Sequence, residues 1–469
     1  MRTLKITAFS FLLLFCFILQ FAYYAHGESV YTLKQSAEQG NANAECRLGY
    51  AYLLGKGVPI NYAKAVYWFR LSAAQGNVYG ENNLGYVYFH GKGVPRNYYK
   101  AAYWFKKSAA QGNAWGEDNL GASYLSGKGV PLNYTKGAYW IRLSATQGFA
   151  HGEYDLGYAY EFGKGVPKDY YLAFYWYRLS ARQGDSDGEA NLSYAYFYGH
   201  GVPKNLAKAE YWSNLSDKQG NLLGILMSML IINERKANAY YNLALDYEGG
   251  LNGKKISVSK SEYWYKKAAK LGNASAEAHV GDDYYYGGIG TPKNYAKALR
   301  WYKLAAGQDN GGAEESLGLM YYYGHGVPQN YSKAAYWYKK SAKRGDYVAE
   351  ERLGYFYYWG EGVPRDYAKT AYWFKKAAKL GYDVAESRLG DLYYLGYGVP
   401  KNYAKALYWY NKAAKLGYAG AEEGLGNFYQ HGYGIPKDCA KAVYWYNKAA
   451  LQGNYSAKLQ LADITKTSC

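Results

Sequence analysis

Cysteine, methionine and histidine are scarce in this 469-residue chain, at four, four and seven residues. Cys16 sits in an N-terminal apolar segment, and Cys46, Cys439 and Cys469 stand near the two ends of the chain. Such a count excludes a disulfide-stapled framework and a cysteine-based zinc module, which need several cysteines at short spacings. Cys46 and Cys439 are too far apart to pair in an extended chain. Cys439 and Cys469 meet only if the C-terminal segment folds back as a cap. No histidine has a second His or Cys at metal-ligand spacing and H-E-x-x-H is absent, so no metal or cofactor is expected. G-x-S-x-G, phosphate-loop and Cys–His nucleophile patterns are missing too, and no enzyme is expected. Acid is short: 37 Asp and Glu face 55 Lys and Arg, a net charge of +18.

Proline is sparse, and its placement is the strongest signal in the chain. All ten prolines, Pro59 to Pro436, fall at one register with steps of 36 residues, broken once by a gap of 89. Eleven of the 13 tryptophans, Trp68 to Trp445, keep the same beat. A fixed period of this size marks a solenoid, whose function is usually an extended surface. One unit, 77–112, reads NVYGENNLGYVYFHGKGVPRNYYKAAYWFKKSAAQG. Leu84 and Tyr88 have helical spacing. Gly91 and Gly93 tolerate positive φ and Pro95 cannot continue a helix, so G-K-G-V-P is a turn. Asn97 caps a second helix that ends at Gly112. Each unit is therefore an antiparallel helical hairpin. Three residues before each register tryptophan stands a small side chain (Ala65, Ala101, Gly137), and four after it only Ser or Ala. Small residues at that spacing admit a neighbouring helix, with the Trp filling the remaining space.

The pattern A-E-x-x-L-G-x-x-Y-x-x-G-x-G-V-P-x-[ND]-Y-x-K-A-x-x-W closely resembles the Sel-1-like repeat, a relative of the tetratricopeptide repeat. The resemblance covers eleven units and implies an all-α fold: a right-handed superhelix of helical hairpins, its concave face lined by the first helices. Some secreted relatives staple each hairpin with a cysteine pair. Penicillin binding and β-lactam hydrolysis belong to those disulfide-paired repeats and are not transferred to this chain.

Arg2, Lys5, the apolar run 6–21 and Ala25-His26-Gly27 read as a signal peptide, 1–27, over the alternative of an uncleaved anchor. No other segment spans a bilayer. Residues 28–40 are expected to cap the stack, followed by repeats one to five (41–220), an apolar insertion (221–236), repeats six to eleven (237–453) and a C-terminal cap (454–469). Two readings of the insertion stand, a spacer helix packed on the stack and a hinge or docking element offering Leu226, Met227 and Met229.

The basic charge concentrates on second helices, as in Lys266, Lys267 and Lys270. There it complements helix C-termini and solvates an outer face, so nucleic acid is not the expected partner. The pairs Glu314-Glu315, Glu350-Glu351 and Glu422-Glu423 suit helix N-termini rather than a glycosidase dyad. His200 and His325 share a variable turn register and read as surface residues.

Tyrosine is abundant, with 62 residues. Tyr50, Tyr86, Tyr158, Tyr194 and Tyr355 occupy a variable register two residues after the leucine of the Leu-Gly pair (Leu-Ser before Tyr194). Phe89, Tyr198, Tyr286, Tyr323 and Trp359 end first helices. These are the candidate interaction surface, with inter-hairpin core as the competing reading. The expected function is a non-catalytic scaffold for protein partners, exported by a bacterium to the periplasm or beyond, in host-cell interaction or envelope assembly. Alternatives are a glycan, peptidoglycan or other anionic-surface binder, a cell-wall hydrolase, and a eukaryotic ER-lumenal adaptor glycosylated at Asn133 and Asn330.

Overall fold

The computed structural model describes residues 29–464 except residue 289. These form 24 α-helices and no β-strand. The expected signal sequence and Cys469 lie outside the described residues; Cys439 is disulfide-bonded.

Short-range chemistry builds each hairpin. Asn77 accepts a hydrogen bond from the Gly80 amide at 2.9 Å and starts the helix Val78–His90. Gly91, at φ 73°, ends it in the left-handed conformation that a side chain would strain. The Asn97 amide donates to the Tyr88 carbonyl at 2.9 Å, closing the turn. The Asn97 side chain then accepts from the Lys100 amide at 2.9 Å and starts Tyr98–Ala110. The second turn glycine is needed for a close approach. A Cβ on Gly129 would lie 1.9 Å from the Tyr98 carbonyl oxygen, because the turn of one hairpin rests on the second helix of the hairpin before it.

Packing across the hairpin corrects one expectation. A Cβ on Gly85 would stand 2.6 Å from the Phe105 ring, which is 2 % exposed. The residue after the tryptophan therefore fills the space beside the small residues, and Trp104 itself is half-buried at the edge of the same core.

The paired glutamates also do more than face a helix dipole. Glu422 is buried; it accepts from Gln452 Nε2 at 2.7 Å and faces Lys448 Nζ at 3.1 Å. Glu350 and Lys376 repeat the ion pair at 3.1 Å. The lysine of each N-Y-x-K stretch lies over the tyrosine that precedes the turn, for instance Lys100 at 5.4 Å from the Tyr88 ring and Lys405 at 5.3 Å from Tyr393. Much of the basic surplus is thus held on the fold's own rings and acids.

The chain divides into two compact units, 1–233 and 234–469. In each, helices pack on their sequence neighbours. First helices of successive hairpins also approach one another, more closely than second helices do, so within a unit they take the inner side of the curve. In the first unit the helix Val30–Glu38 packs Leu33 and Ala37 on Ala44, Leu48 and Trp68. In the second, Tyr455–Ile464 packs Ala457 and Ile464 on Ala442 and Tyr446.

The expected insertion forms no separate element. Its residues continue into the first helix of the sixth repeat as one 28-residue helix, Leu222–Gly249. Met227 is buried with Leu192 and Ala195, so it cannot serve as a docking residue, whereas Leu226 and Met229 are exposed. A second irregularity, one extra residue before Pro292, is absorbed by a π-helical turn, Asp283–Gly287. Asp309 replaces the usual glycine and holds the left-handed conformation at φ 65°, which Asp tolerates better than most residues.

The caps yield a direct test. Asn402 accepts from the Lys405 amide at 2.9 Å. Asn402→Ala is expected to lower stability by about 1 kcal/mol. Asn402→Asp is expected to be near neutral, since Asp366 and Asp438 cap their helices in the same way. Chemical denaturation of the two variants measures the difference.

Candidate functional site

The candidate aromatic residues divide sharply by burial. Tyr50 and Tyr86 are 1 % and 4 % exposed, so these two belong to the core and not to a binding surface. Each ring is packed in by the neighbouring repeat, within the cluster that holds Leu53, Phe69 and Phe105. Tyr158, Tyr194 and Tyr355 are half-buried, as is Phe89, whose ring meets Tyr98 edge-on at 5.1 Å. Tyr198, Tyr286, Tyr323 and Trp359 are exposed at first-helix ends. The histidines are not free surface residues. His325 Nδ1 lies 2.9 Å from the Tyr285 hydroxyl and its ring stacks on Tyr295 at 4.4 Å. His200 lies 4.3 Å from the Tyr170 ring.

In the second unit the structure brings Tyr355 and Trp359 together at a pocket of about 900 Å³. Its walls come from the first helices Tyr347–Trp359, Asp383–Leu395 and Ala419–His431, and Phe374 and Tyr410 of second helices also line it. A polar relay orders one side. Arg388 donates to the Tyr355 hydroxyl and to Asp391 Oδ2, both at 3.0 Å, and Tyr410 donates to Asp391 Oδ1 at 2.7 Å. Burial raises the Asp391 carboxyl above its ordinary range, against the opposing pull of Tyr410 and Arg388. On the other side Glu423 accepts from Asn454 at 2.9 Å and Ser456 at 2.6 Å. Trp359, 58 % exposed, stands at the pocket. A space of this size with aromatic walls and a few convergent polar groups suits an inserted side chain of a partner segment.

Sequence reasoning gave no site role to Arg388 or Asp391 and read Glu423 as a helix N-terminal acid. The available signal was Asp391 itself, an acid at the register where other repeats carry tyrosine.

A second constellation lies in the first unit, on three successive first helices. Asp118 belongs to Ala114–Ser126, His151 and Asp155 to Ala150–Phe162, and Asp187 to Ser186–Tyr198, which Asp185 caps. Asp185 accepts from the Asp187 and Gly188 amides at 3.1 and 2.8 Å, and its other oxygen lies 3.6 Å from His151 Nδ1. Asn221 donates to Asp187 at 2.7 Å. Burial drives the carboxyls of Asp118 and Asp155 upward and pushes Asp187 to about 7. Linear motif spacing could not reveal this cluster, because its residues come from different repeats.

The sequence model described as the Sel1 repeat matches 42–77, 78–113, 117–149, 150–185, 186–221, 237–273, 274–310, 313–346, 348–382, 383–418 and 419–454. Among solved structures, a protective antigen present in uropathogenic Escherichia coli strains, displaying an SLR fold, is 33% identical. That match covers 94% of this chain and 91% of that one, with a TM-score of 0.45. A Sel1 repeat protein from Oxalobacter formigenes is 28% identical over 54% of this chain and 96% of its own, with a TM-score of 0.39. A putative sel1 repeat protein from Klebsiella pneumoniae subsp. pneumoniae is 22% identical over 44% of this chain and 99% of its own, with a TM-score of 0.30. No curated protein matches.

Proposed function

This chain belongs to the Sel1 repeat family, and on that premise we propose that it is a non-catalytic scaffold that holds a protein segment against its first helices. The observation that carries the reading is the pocket of the second unit. Three successive first helices leave an aromatic-walled space with Trp359 exposed beside it. Aromatic anchors of this kind dominate binding energy at protein interfaces. The net charge of +18 favours encounter with acidic partners. Arg2, Lys5 and the apolar run 6–21 support export, and the family resemblance favours a bacterium, with envelope assembly or host-cell contact as the setting.

A photo-crosslinking residue placed at Trp359 tests the binding. It is expected to capture a discrete protein partner from envelope or host-cell lysate, and Trp359→Ala is expected to weaken that partner's binding at least tenfold. Tyr99, exposed on a second helix, is the control and should capture nothing specific. Equal capture at both positions overturns the reading, as does retention by purified sacculi with no protein crosslink.

A further inference from the structure

The acid cluster of the first unit buries one carboxyl oxygen that its packing leaves without a donor. Asp118 is 3 % exposed, and its Oδ1 has no hydrogen-bond partner. A buried carboxylate oxygen in that state is costly. It is also not alone. Ligand-capable atoms of Asp118, His151 and Asp155 all lie within 4.8 Å of one another, and those of His151, Asp185 and Asp187 do the same. Four carboxyls thus surround one imidazole. Lys164 adds only a longer-range attraction for Asp155, and its ammonium group donates to the Tyr158 hydroxyl at 3.2 Å. The missing component is positive charge with open coordination.

We propose that Asp118, His151 and Asp155 bind a divalent transition-metal ion, Zn²⁺ or Mn²⁺, clamping the third and fourth repeats together. One imidazole nitrogen with carboxylate oxygens suits these ions, whereas Ca²⁺ and Mg²⁺ prefer oxygen alone. Bonds of about 2.0–2.2 Å place ligand atoms about 3–4.4 Å apart, a span compatible with ligand atoms that lie within 4.8 Å of one another. The orphaned Asp118 oxygen acquires a partner. Asp185, whose Oδ2 faces His151 Nδ1 at an ion-pair distance of 3.6 Å, takes the role of positioning residue from outside the metal's own ligands. Its amide contacts to Asp187 and Gly188 tie the fifth repeat to the same centre. This site is independent of the partner segment proposed for the second unit.

The test uses the full chain, stripped with EDTA and titrated with Zn²⁺ or Mn²⁺ alone. One ion per chain is expected after gel filtration. The melting temperature of the first unit should rise by about 5–10 °C at a free-ion concentration about a hundredfold above Kd. Asp118→Asn should weaken uptake at least tenfold, and Asp185→Asn by about tenfold through loss of imidazole orientation. Bound Mn²⁺ should show electron-spin-echo modulation from an imidazole nitrogen, a readout on the unmodified chain that does not depend on a variant folding. Uptake well below one ion, uptake unchanged in Asp118→Asn, or no nitrogen modulation with Mn²⁺ would each overturn the proposal. The last two outcomes would place any bound ion elsewhere, and the first would leave a cluster that shares protons.

Discussion

Phe428→Ala is expected to cost the last hairpins of the second unit about 3–5 kcal/mol. The Phe428 ring is 1 % exposed and lies between 5.6 and 6.0 Å from those of Tyr394, Tyr403, Tyr410 and Tyr433. These tyrosines come from the last two hairpins, so removing the ring leaves a cavity that no single neighbour can fill. Tyr410 is tied to Asp391 at 2.7 Å and cannot swing in without breaking that bond. The loss should also be local. Hairpins in a solenoid take stability from their neighbours, so amide exchange should accelerate most across 383–451 and least across the first repeats. A uniform acceleration over all repeats would contradict nearest-neighbour stacking.

The second large effect is a pH dependence carried by Glu315. Burial is the main cause that raises its carboxyl to about 7; Asp346 and Asp282 add to it and Arg352 opposes it. The neutral acid is therefore the form that the fold prefers. An unfolded glutamate titrates near 4.3, so between the two values the folded chain binds more protons than the unfolded one. Stability then falls as pH rises through that window. Glu277, raised to about 6 by burial, acts in the same direction. Glu315→Gln and the unmodified chain should have similar stability near pH 4.5. By pH 8 the variant should be more stable by about 2–3 kcal/mol. Denaturation midpoints of both proteins across that range measure this gap. A gap that does not change with pH would show that Arg352 already holds Glu315 ionised.

The hairpins were legible in the sequence because their determinants lie within a few residues of one another. Asn97 caps a helix three residues on, Gly91 ends one beside it, and Pro95 interrupts the chain between them. Such contacts are made by any chain with that local spelling, and a 36-residue period repeats them into a stack. The burial of the tyrosines was not legible. Tyr86 and Tyr355 share a register, yet the first is core and the second lines a pocket, because the neighbouring repeat sets Arg388 beside Tyr355. The small residues were read correctly, but their partner proved to be Phe105 and not Trp104, since one residue along a helix turns a side chain by about 100°. Both candidate sites arise where side chains from successive repeats converge. Asp118, His151 and Asp155 stand 33 and 37 residues apart across the first gap and the whole span, far outside the reach of local coupling. They meet because stacking sets the same faces of consecutive helices side by side, and burial and charge there depend on the repeat next door.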